Sequence, residues 1–498
     1  MALNLASGLQ VSAHFFWQRR NAAALSHHGV RMEFDPVQRQ RASLLLGFIF
    51  ALLGVALMFL LSWFKPAGHV GESTILADRD TGAVFVLVDG RLHPALNLVS
   101  ARLIAGQAAN PTFVKASELA KYPQGPTVGI AGAPMAMPLR TGDASQWAIC
   151  DTASPGKVSA SSVVTAIGGP LTIGERAQQL RPPLAVLVTH NGATYVVWDD
   201  QRSQVDLSNK AVALALGVDS AAPRPVTISN ALFDALPATE PLTTPAVPNA
   251  GAPGGWNLAP GAVVGSVLSV RDLETGDDNF YVLLTDGVQR ISPFVATLLR
   301  SANSFGNPLP LAVAPDTLTH VPVVNPLPVG YYPTTRLTFV DTGANPVTCV
   351  AWAKGSTDRS AVTTVLSGKG LPIPIGSDSR LLQLVKDARG PATIEADQVY
   401  MAPGATNLVM TTSASPEATS RESLWWISDQ GVRYGISLDD ASLRSLGITP
   451  GSARQAPWPL MRVFAVGPAL TRADALTQHD TVSGPAEAAL LGKPNDNP

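Results

Sequence analysis

Two cysteines, Cys150 and Cys349, are the residues whose possible chemistry is easiest to define. A structural zinc site takes thiolates at short spacings such as Cys-x₂₋₄-Cys. These two thiols are far apart along the chain and have no pair of histidines nearby, so a metal site is not predicted. The remaining alternatives are one disulfide bond or two unrelated buried thiols. The cellular compartment decides between them, because disulfides persist where the environment is oxidising.

Nucleotide binding would need a P-loop, Gly-x-x-x-x-Gly-Lys followed by Ser or Thr. In that motif the backbone N–H groups wrap the phosphates, the lysine neutralises them and the hydroxyl holds Mg²⁺. The nearest segments are Gly368-Lys369-Gly370 and Gly492-Lys493-Pro494, and each lacks the leading glycine and the hydroxyl residue. Both are therefore predicted to be turns. The sequence contains no Gly-x-Ser-x-Gly and no His-Glu-x-x-His motif.

The histidines give no better support for catalysis. His93, His190 and His320 are widely separated in the sequence, so their positions give no support for a catalytic triad, which is defined by geometry in the folded protein. We therefore predict no catalytic residue, no metal site and no cofactor. The net charge of −2 also lacks the basic footprint of a nucleic-acid-binding protein.

One apolar stretch, residues 44–64 (LLLGFIFALLGVALMFLLSWF), separates a short N-terminal segment from the rest of the chain. At about 1.5 Å per helical residue it spans roughly 31 Å, which matches the hydrocarbon core of a bilayer. A lone segment in hydrocarbon must be helical, because its backbone groups have to pair within it. A cleaved signal peptide would have a shorter apolar region and a small-residue cleavage site, which does not follow Phe64. The stretch is predicted to be a single transmembrane helix.

The charges that flank the helix predict its orientation. The N-terminal side carries Glu33 and Asp35 against a larger set of arginines, which are Arg19, Arg20, Arg31, Arg39 and Arg41. The positive-inside rule then places residues 1–43 in the cytoplasm and the bulk of the chain on the extracytoplasmic side of the membrane. Both cysteines lie on the oxidising side, so a disulfide between Cys150 and Cys349 is favoured over two separate thiols.

The cytosolic segment 1–43 is predicted to begin with an amphipathic helix within residues 8–32, because apolar residues recur there at helical spacing. Asp35-Pro36 is predicted to open the second helix, which continues into the membrane. The first helix could lie on the lipid headgroups or dock on a cytosolic partner. The candidate docking residues are Phe15, Phe16, Trp17, Arg19 and Arg20.

Beyond the membrane, one pattern of strand, tight turn, strand and short helix occurs four times. The turns are Asp89-Gly90, Asp199-Asp200, Asp286-Gly287 and Gln430-Gly431, which are residue types that hairpin turns with positive φ prefer. Between the repeats, the apolar segments WAICDT and PVTCVAW are predicted to be buried strands of one central core. The predicted regions are 72–124 (unit 1), 125–185 (core), 186–240 (unit 2), 241–260 (Pro/Gly-rich connection), 261–307 (unit 3), 308–414 (core), 415–475 (unit 4) and 481–498 (disordered tail).

With this layout, the chain resembles the EccB family of mycobacterial type VII (ESX) secretion systems. The resemblance is carried by strings spread over nearly the whole chain, among them LQVSAHFFWQRR, VRMEFDP, LHPALNLVSARLIAG, GPTVGIAGAP, WAICDT, GVRYGI and QAPWPLMR. It implies an α+β fold with one N-terminal transmembrane helix, followed by an elongated periplasmic part of four repeats around a β-rich core closed by one disulfide.

The resemblance also implies partners. They are the motor ATPase EccC, EccD, EccE and the mycosin protease MycP, together with self-association of the periplasmic part. The favoured function is a structural and assembly subunit that links the cytosolic motor to the periplasm. The family is also described as an ATPase, so ATP hydrolysis is an alternative, and binding to the cell wall is a further one.

Overall fold

The computed structural model describes residues 7–28, 36–63, 70–153, 162–218, 224–272, 274–385, 394–449 and 451–482. The chain divides into two compact parts, Met1–His69 and Val70–Pro498. The predicted tail 481–498 lies outside the described residues from position 483 onward, and so does Gly492-Lys493-Pro494.

The secondary structure comprises both helices and strands, as an α+β fold requires. The helices are α1 (Gly8–His27), α2 (Pro36–Trp63), α3 (Leu98–Ala105), α4 (Ala116–Leu119), α5 (Lys210–Leu216), α6 (Asn230–Ala235), α7 (Pro293–Ala302), α8 (Pro315–Leu318), α9 (Asp440–Leu446), α10 (Trp458–Met461) and α11 (Arg472–Ala475), with a 3₁₀ turn at Asp378–Arg380. The strands are β1 (Ile75–Asp78), β2 (Val84–Val88), β3 (Arg91–Pro94), β4 (Thr112–Val114), β5 (Thr127–Val128), β6 (Ala144–Thr152), β7 (Val163–Gly168), β8 (Ala177–Gln179), β9 (Leu184–His190), β10 (Ala193–Trp198), β11 (Gln201–Val205), β12 (Val226–Thr227), β13 (Val267–Arg271), β14 (Asp278–Leu284), β15 (Gly287–Ile291), β16 (Leu311–Ala312), β17 (Thr338–Phe339), β18 (Val347–Gly355), β19 (Val362–Gly368), β20 (Leu382–Gln383), β21 (Gln398–Met401), β22 (Leu408–Thr412), β23 (Leu424–Ile427), β24 (Val432–Ile436), β25 (Arg454–Pro457), β26 (Ala465–Val466) and β27 (Gln478–His479).

Helix α2 begins at Pro36, as predicted, where a fixed φ suits the first helical turn. Its segment Ala42–Leu60 has a mean hydropathy of 2.6, and none of it is buried against the rest of the protein. Among the described residues, this is the one helix that is long and apolar enough to cross a membrane. The segment overlaps the predicted span 44–64.

Four sheets share one strand order. In each, three strands form an antiparallel meander, a helix follows, and a fourth strand returns to pair in parallel with the first. We call these sheets with their helices units 1 to 4. Their strands and main helices are β1–β4 with α3, β9–β12 with α5, β13–β16 with α7, and β22–β25 with α9.

The turn residues explain how the meanders close. Asp89 and Gly90 have φ of 48° and 76°, and Asp199 and Asp200 have φ of 43° and 59°. A two-residue hairpin loop whose twist matches the strands needs positive φ at both positions, which Asp and Gly tolerate best. The predicted hairpins of units 1 and 2 therefore adopt the conformation that their residues favour.

A side-chain cap fixes the start of each main helix. The capping oxygens belong to Asn97, Asn209, Ser292 and Asp439, and each accepts a hydrogen bond from a backbone N–H in the first turn. These residue types are the preferred N-caps because their short side chains reach the unpaired N–H groups. The helices therefore begin where the sequence supplies a cap.

The units pack in two pairs through their main helices. Helix α3 of unit 1 contacts α9 of unit 4, and α5 of unit 2 contacts α7 of unit 3. One apolar cluster spans each pair, with Leu103 and Leu446 in the first and Leu216 and Leu298 in the second. Burial of the apolar helix faces against each other drives this pairing.

A seven-stranded sheet lies in the regions predicted as the core. Its strand order is β20-β21-β7-β6-β18-β19-β8, so pairs of strands from after unit 3 lie next to strands from before unit 2. Strands β6 and β18 are antiparallel neighbours over nine residue pairs. The two non-repeat regions therefore form one sheet.

The short second helix of each unit determines which units touch this central sheet. In units 2 and 4, α6 buries Leu232 and α10 buries Leu460 and Met461, and all three belong to the apolar cluster of the central sheet. In unit 1, α4 buries only Leu119, and in unit 3, α8 buries no residue. Units 2 and 4 are therefore inner units, because only their second helices are apolar enough to pack on the core.

The connection at 241–260 has no helix or strand, but it is not loose. Leu242 is fully buried in the cluster shared by units 2 and 3. The Thr243 carbonyl accepts a hydrogen bond of 2.6 Å from the Tyr332 hydroxyl. The segment thus packs along the pair that it connects.

Candidate functional site

The predicted docking residues lie on α1, whose first turn is set by the sequence. The Ser7 backbone N–H donates to Gln10 Oε1 at 3.0 Å as part of a capping box. Phe15, Phe16 and Trp17 follow two turns later, and their side chains are 51%, 52% and 62% exposed. Three adjacent exposed aromatic side chains are unusual on a protein surface unless that surface binds another protein or lipid.

The aromatic residues of α1 do not share one face, which differs from the predicted amphipathic pattern. At roughly 100° per residue, Phe15, Phe16 and Trp17 point in directions that span roughly 200°. Leu9 and Leu25 add exposed apolar side chains near the two ends. A helix lying flat on headgroups buries a single stripe, whereas one that is apolar on several sides needs protein or lipid around it.

The arginines on α1 occupy different settings. Arg19 Nε donates to the Phe15 carbonyl oxygen at 3.2 Å, one turn earlier in the helix. Arg20 is exposed. Together they place positive charge beside the aromatic residues.

The two cysteines form the predicted disulfide. Cys150 on β6 lies directly opposite Cys349 on β18, with 4.0 Å between their Cα atoms, and both side chains are fully buried. The bond joins positions 199 residues apart. It closes the central sheet at its middle pair of strands, as predicted.

The next residue, Asp151, holds unit 2 against the central sheet. Its carboxylate accepts hydrogen bonds from the Ser229 backbone N–H at 2.6 Å, the Ser229 hydroxyl at 2.8 Å and the Ser162 hydroxyl at 2.9 Å. Ser229 is the N-cap of α6. Burial raises the pKa of Asp151 to about 6, because the three hydrogen bonds offset only part of the desolvation. The signal that could have indicated this role is an acidic residue inside the apolar string WAICDT.

Two arginines occupy equivalent positions in the inner units. Arg202 and Arg433 are the second residues of β11 and β24, and their Nε atoms donate to the carbonyl oxygens of Phe233 and Phe464 at 3.1 and 3.0 Å. In the outer units the same strand position carries the fully buried Leu92 and Val288. The inner units thus use a cation where the outer units use an apolar side chain.

Both arginines stack on aromatic rings. The Arg202 guanidinium lies 3.6 Å from the Phe233 ring centroid. Arg433 lies 4.9 Å from the Trp425 centroid and 5.0 Å from the Trp458 centroid. Such contacts stabilise most where the cation is desolvated, and burial indeed lowers the pKa of Arg202. The sequence did not predict this pair of arginines, because their equivalent positions are visible only when the strands of the two units are aligned.

The inner units also contact each other directly. Arg462, which follows α10, forms an ion pair with Asp234 of α6. Helices α6 and α10 pack together over the central sheet. Asp151 and Arg462 therefore join different parts of the fold, whereas Arg202 and Arg433 hold α6 and the segment after α10 within their own units. We call all four contacts structural clamps.

The candidate catalytic residues do not come together. His93 Nδ1 lies 3.0 Å from the Pro126 carbonyl oxygen in unit 1, and His190 Nε2 lies 2.8 Å from Asn230 Oδ1 in unit 2. His320 is exposed after α8 in unit 3. In the part of the chain that the structure describes, no three His, Cys, Asp or Glu side chains are grouped so as to hold a metal ion.

Comparison with known proteins places this architecture in one family. The family model described as "Type VII secretion system ESX-1, transport TM domain B", named EccB, matches residues 3–484. The chain is 53% identical over 491 residues to the ESX-2 secretion system ATPase EccB2 of Mycobacterium tuberculosis, covering 99% of this chain and 98% of that protein.

Solved structures give the same result. A chain of an intact ESX-5 inner membrane complex matches with a TM-score of 0.76 and 37% identity, covering 99% of both chains. The EccB3 dimer from the ESX-3 core complex matches with a TM-score of 0.70 and 37% identity, covering 81% of this chain and 100% of that chain. The chain therefore belongs to the EccB family of type VII secretion systems, as the motifs in its sequence predict.

Proposed function

We propose that this chain is a structural and assembly subunit of a type VII secretion complex in the inner membrane. The observation that carries the proposal is the match, over 99% of both chains, to a component of an intact ESX-5 inner membrane complex. The internal contacts support it, because Asp151 holds unit 2 against the central sheet and Arg462 pairs unit 4 with unit 2. A scaffold needs such fixed relations between its parts.

The proposed topology follows from charge and hydropathy. Helix α2 would cross the membrane once, with α1 in the cytoplasm and residues from 70 onward in the periplasm. The disulfide between Cys150 and Cys349 supports the periplasmic placement, since such bonds persist in oxidising compartments. The chain would then connect the two sides of the membrane through one helix.

We further infer that units 1 to 4 are four copies of one repeat. All four have the same strand order, the same position of the main helix and a short second helix after the parallel strand. The third strand of units 1, 2, 3 and 4 also pairs in parallel with the segment that follows this second helix, at Leu92, Arg202, Val288 and Val432. Agreement at this level of detail favours duplication over chance.

The proposed partners are those of the family. Helix α1 would dock on the motor EccC, because it carries exposed aromatic residues and would lie in the cytoplasm, where a motor draws on ATP. EccD, EccE and the protease MycP are the other proposed partners. Self-association is supported by the similarity to the EccB3 dimer.

The proposal is tested by purifying the tagged full-length chain from its native membrane in a mild detergent. We expect EccC, EccD and EccE to be recovered with it, identified by mass spectrometry. The matched control is the same tag on an unrelated single-pass membrane protein. Recovery of the chain alone, under conditions in which the other components stay associated with each other, would contradict an assembly role.

A further inference from the structure

A cavity of about 300 Å³ lies at one edge of the central sheet, where β8 is the outermost strand. Strands β8 and β19 form part of its wall, and their residues Gln179 and Ser367 line it. The segment Gly368-Lys369, which the sequence predicts as part of a turn, also lines it. The volume is at the lower end of those that bind small molecules or single chemical groups.

The segment Gly368-Lys369-Gly370, which starts at the last residue of β19, packs against Arg176. The Lys369 backbone N–H donates to the Arg176 carbonyl oxygen at 2.8 Å. A Cβ atom at Gly368 would collide with that oxygen, and one at Gly370 would lie 2.7 Å from Arg176 Nε. Position 368 therefore requires glycine, whereas a side chain at position 370 would displace the Arg176 guanidinium. The lysine between them lies at the rim of the cavity.

The charges around the cavity leave one cation without a counterion. Arg176 is neutralised, because its guanidinium makes two hydrogen bonds of 2.9 Å to the Asp378 carboxylate. Lys369 has no ion pair within the described ranges, and its side chain is exposed. Glu175 also lines the cavity, so the charges of Lys369 and Glu175 sum to zero and an anionic group is favoured only next to Lys369. A ligand with two negative charges is therefore disfavoured.

Two side chains of the lining, Ser367 and Gln179, can donate hydrogen bonds to an anion. Ser367 is buried, and its hydroxyl has no hydrogen-bond partner among the described residues. Gln179 Oε1 already accepts a bond of 2.9 Å from Arg181 Nε, which leaves the amide N–H groups of Gln179 to donate. A buried hydroxyl without a partner is uncommon in native proteins, and an absent ligand is one explanation.

We propose that this cavity binds an organic carboxylate. The carboxylate would accept hydrogen bonds from the Ser367 hydroxyl and the Gln179 amide and would pair with the Lys369 ammonium. One charge and two acceptor oxygens match one free cation and two neutral donors. The carboxylate could belong to a polypeptide C-terminus or to a small free acid, and the two sources have the same chemistry at this site.

The test measures binding to the full-length protein in detergent by saturation-transfer NMR, which detects weak ligands of large proteins. The probes are N-acetyl-trialanine with a free carboxylate, the same peptide with a C-terminal amide, acetate and inorganic phosphate. We expect the carboxylate peptide to bind about tenfold or more tightly than its amide, because the amide cannot pair with Lys369. Acetate binding as tightly as the peptide would assign the site to small acids, and tighter peptide binding would assign it to a C-terminus. Both results support the proposal.

The variants Lys369→Gln and Ser367→Ala separate binding from folding. Each should weaken binding of the carboxylate peptide by about tenfold, while the exposed Lys115→Gln control leaves it unchanged. Ser367→Ala should not lower the melting temperature, because the hydroxyl has no partner to lose. Equal binding of peptide and amide, unchanged binding by both variants, or tighter binding of phosphate than of carboxylate would each overturn the proposal.

Discussion

Cys150 and Cys349 are directly opposed on neighbouring antiparallel strands, 4.0 Å apart at Cα, although 199 residues separate them in sequence. Between them along the chain lie units 2 and 3 complete. The bond therefore closes a long loop in the unfolded chain, and this loop contains both of these units. Both sulfur atoms are in fully buried residues, so access by reductant requires the sheet to open.

Replacing both cysteines by serine should destabilise the protein. In the chain-entropy model a loop of this length contributes at most about 5 kcal/mol to the free energy of unfolding. The measurement is thermal unfolding of the double variant beside wild-type protein, together with mass mapping under non-reducing conditions. Two free thiols in wild-type protein taken from the periplasm would contradict the prediction, and reduced wild-type protein serves as the control.

The Asp151 carboxyl should make stability depend on pH between about 4 and 6. Its pKa in the folded protein is about 6 against an ordinary value of 3.8, so in this range the folded state binds more protons than the unfolded state. Stability is therefore highest below the ordinary pKa and falls as pH rises through about 6, by at most about 3 kcal/mol. The Coulombic effect of Asp397 acts in the same direction.

This contribution is isolated by comparing Asp151→Asn with wild-type protein. The difference between their melting temperatures, measured from pH 4 to 7.5, should change with pH and level off above about 6.5. The exposed Asp143→Asn variant is the matched control and should show no such change. A difference that is constant across the range would show that Asp151 does not titrate there.

The stacked arginines should tolerate lysine poorly. The substitution Arg433→Lys would keep the positive charge but lose the planar group that contacts Trp425 and Trp458. It would also remove the Nε–H group that donates to the Phe464 carbonyl oxygen. We expect the melting temperature to fall by an amount that corresponds to about 1–3 kcal/mol. The exposed Arg359→Lys variant is the control, and equal melting temperatures for all three proteins would contradict the prediction.

Local sequence predicted the hairpins but not the full units. Asp89-Gly90 specifies its own turn, and Pro36 specifies a helix start, because the conformation follows from the residues themselves. The parallel strands β12 and β16 contain two residues each, which is too short for any alternation to be visible. Their existence depends on the neighbouring strand, so no local pattern could reveal them.

The contacts of the structural clamps could not be predicted from the sequence either. Asp151 meets Ser229 across 78 positions, and Arg202 meets Phe233 across 31. Neither pair has a spacing that indicates contact. By contrast, the apolar character of α6 and α10 was present in the sequence, and it separates inner from outer units once the second helices are recognised.

The aromatic residues of α1 should be required for docking on the motor. Phe15→Ala, Phe16→Ala and Trp17→Ala combined would remove the large exposed apolar side chains at the middle of the helix without changing its caps. We expect the variant to insert into the membrane but to lose co-purification with EccC. Leu9→Ala, also exposed but at the helix start, is the control. Retained co-purification of the triple variant would favour contact with lipid headgroups instead.

The isolated chain should not hydrolyse ATP at a significant rate. The segment before α2 has no P-loop, and Gly368-Lys369-Gly370 lies at the end of β19 and leads into no helix, so it lacks the N–H cradle that holds phosphates. Residues from 70 onward would also lie on the side of the membrane where ATP is not supplied. The measurement is steady-state ATPase activity of the purified full-length chain, with Lys369→Ala and a set of Asp→Ala and Glu→Ala variants. We expect a background rate that falls on repurification and is the same in every variant. A robust rate that one substitution abolishes while the fold is intact would establish the enzyme alternative.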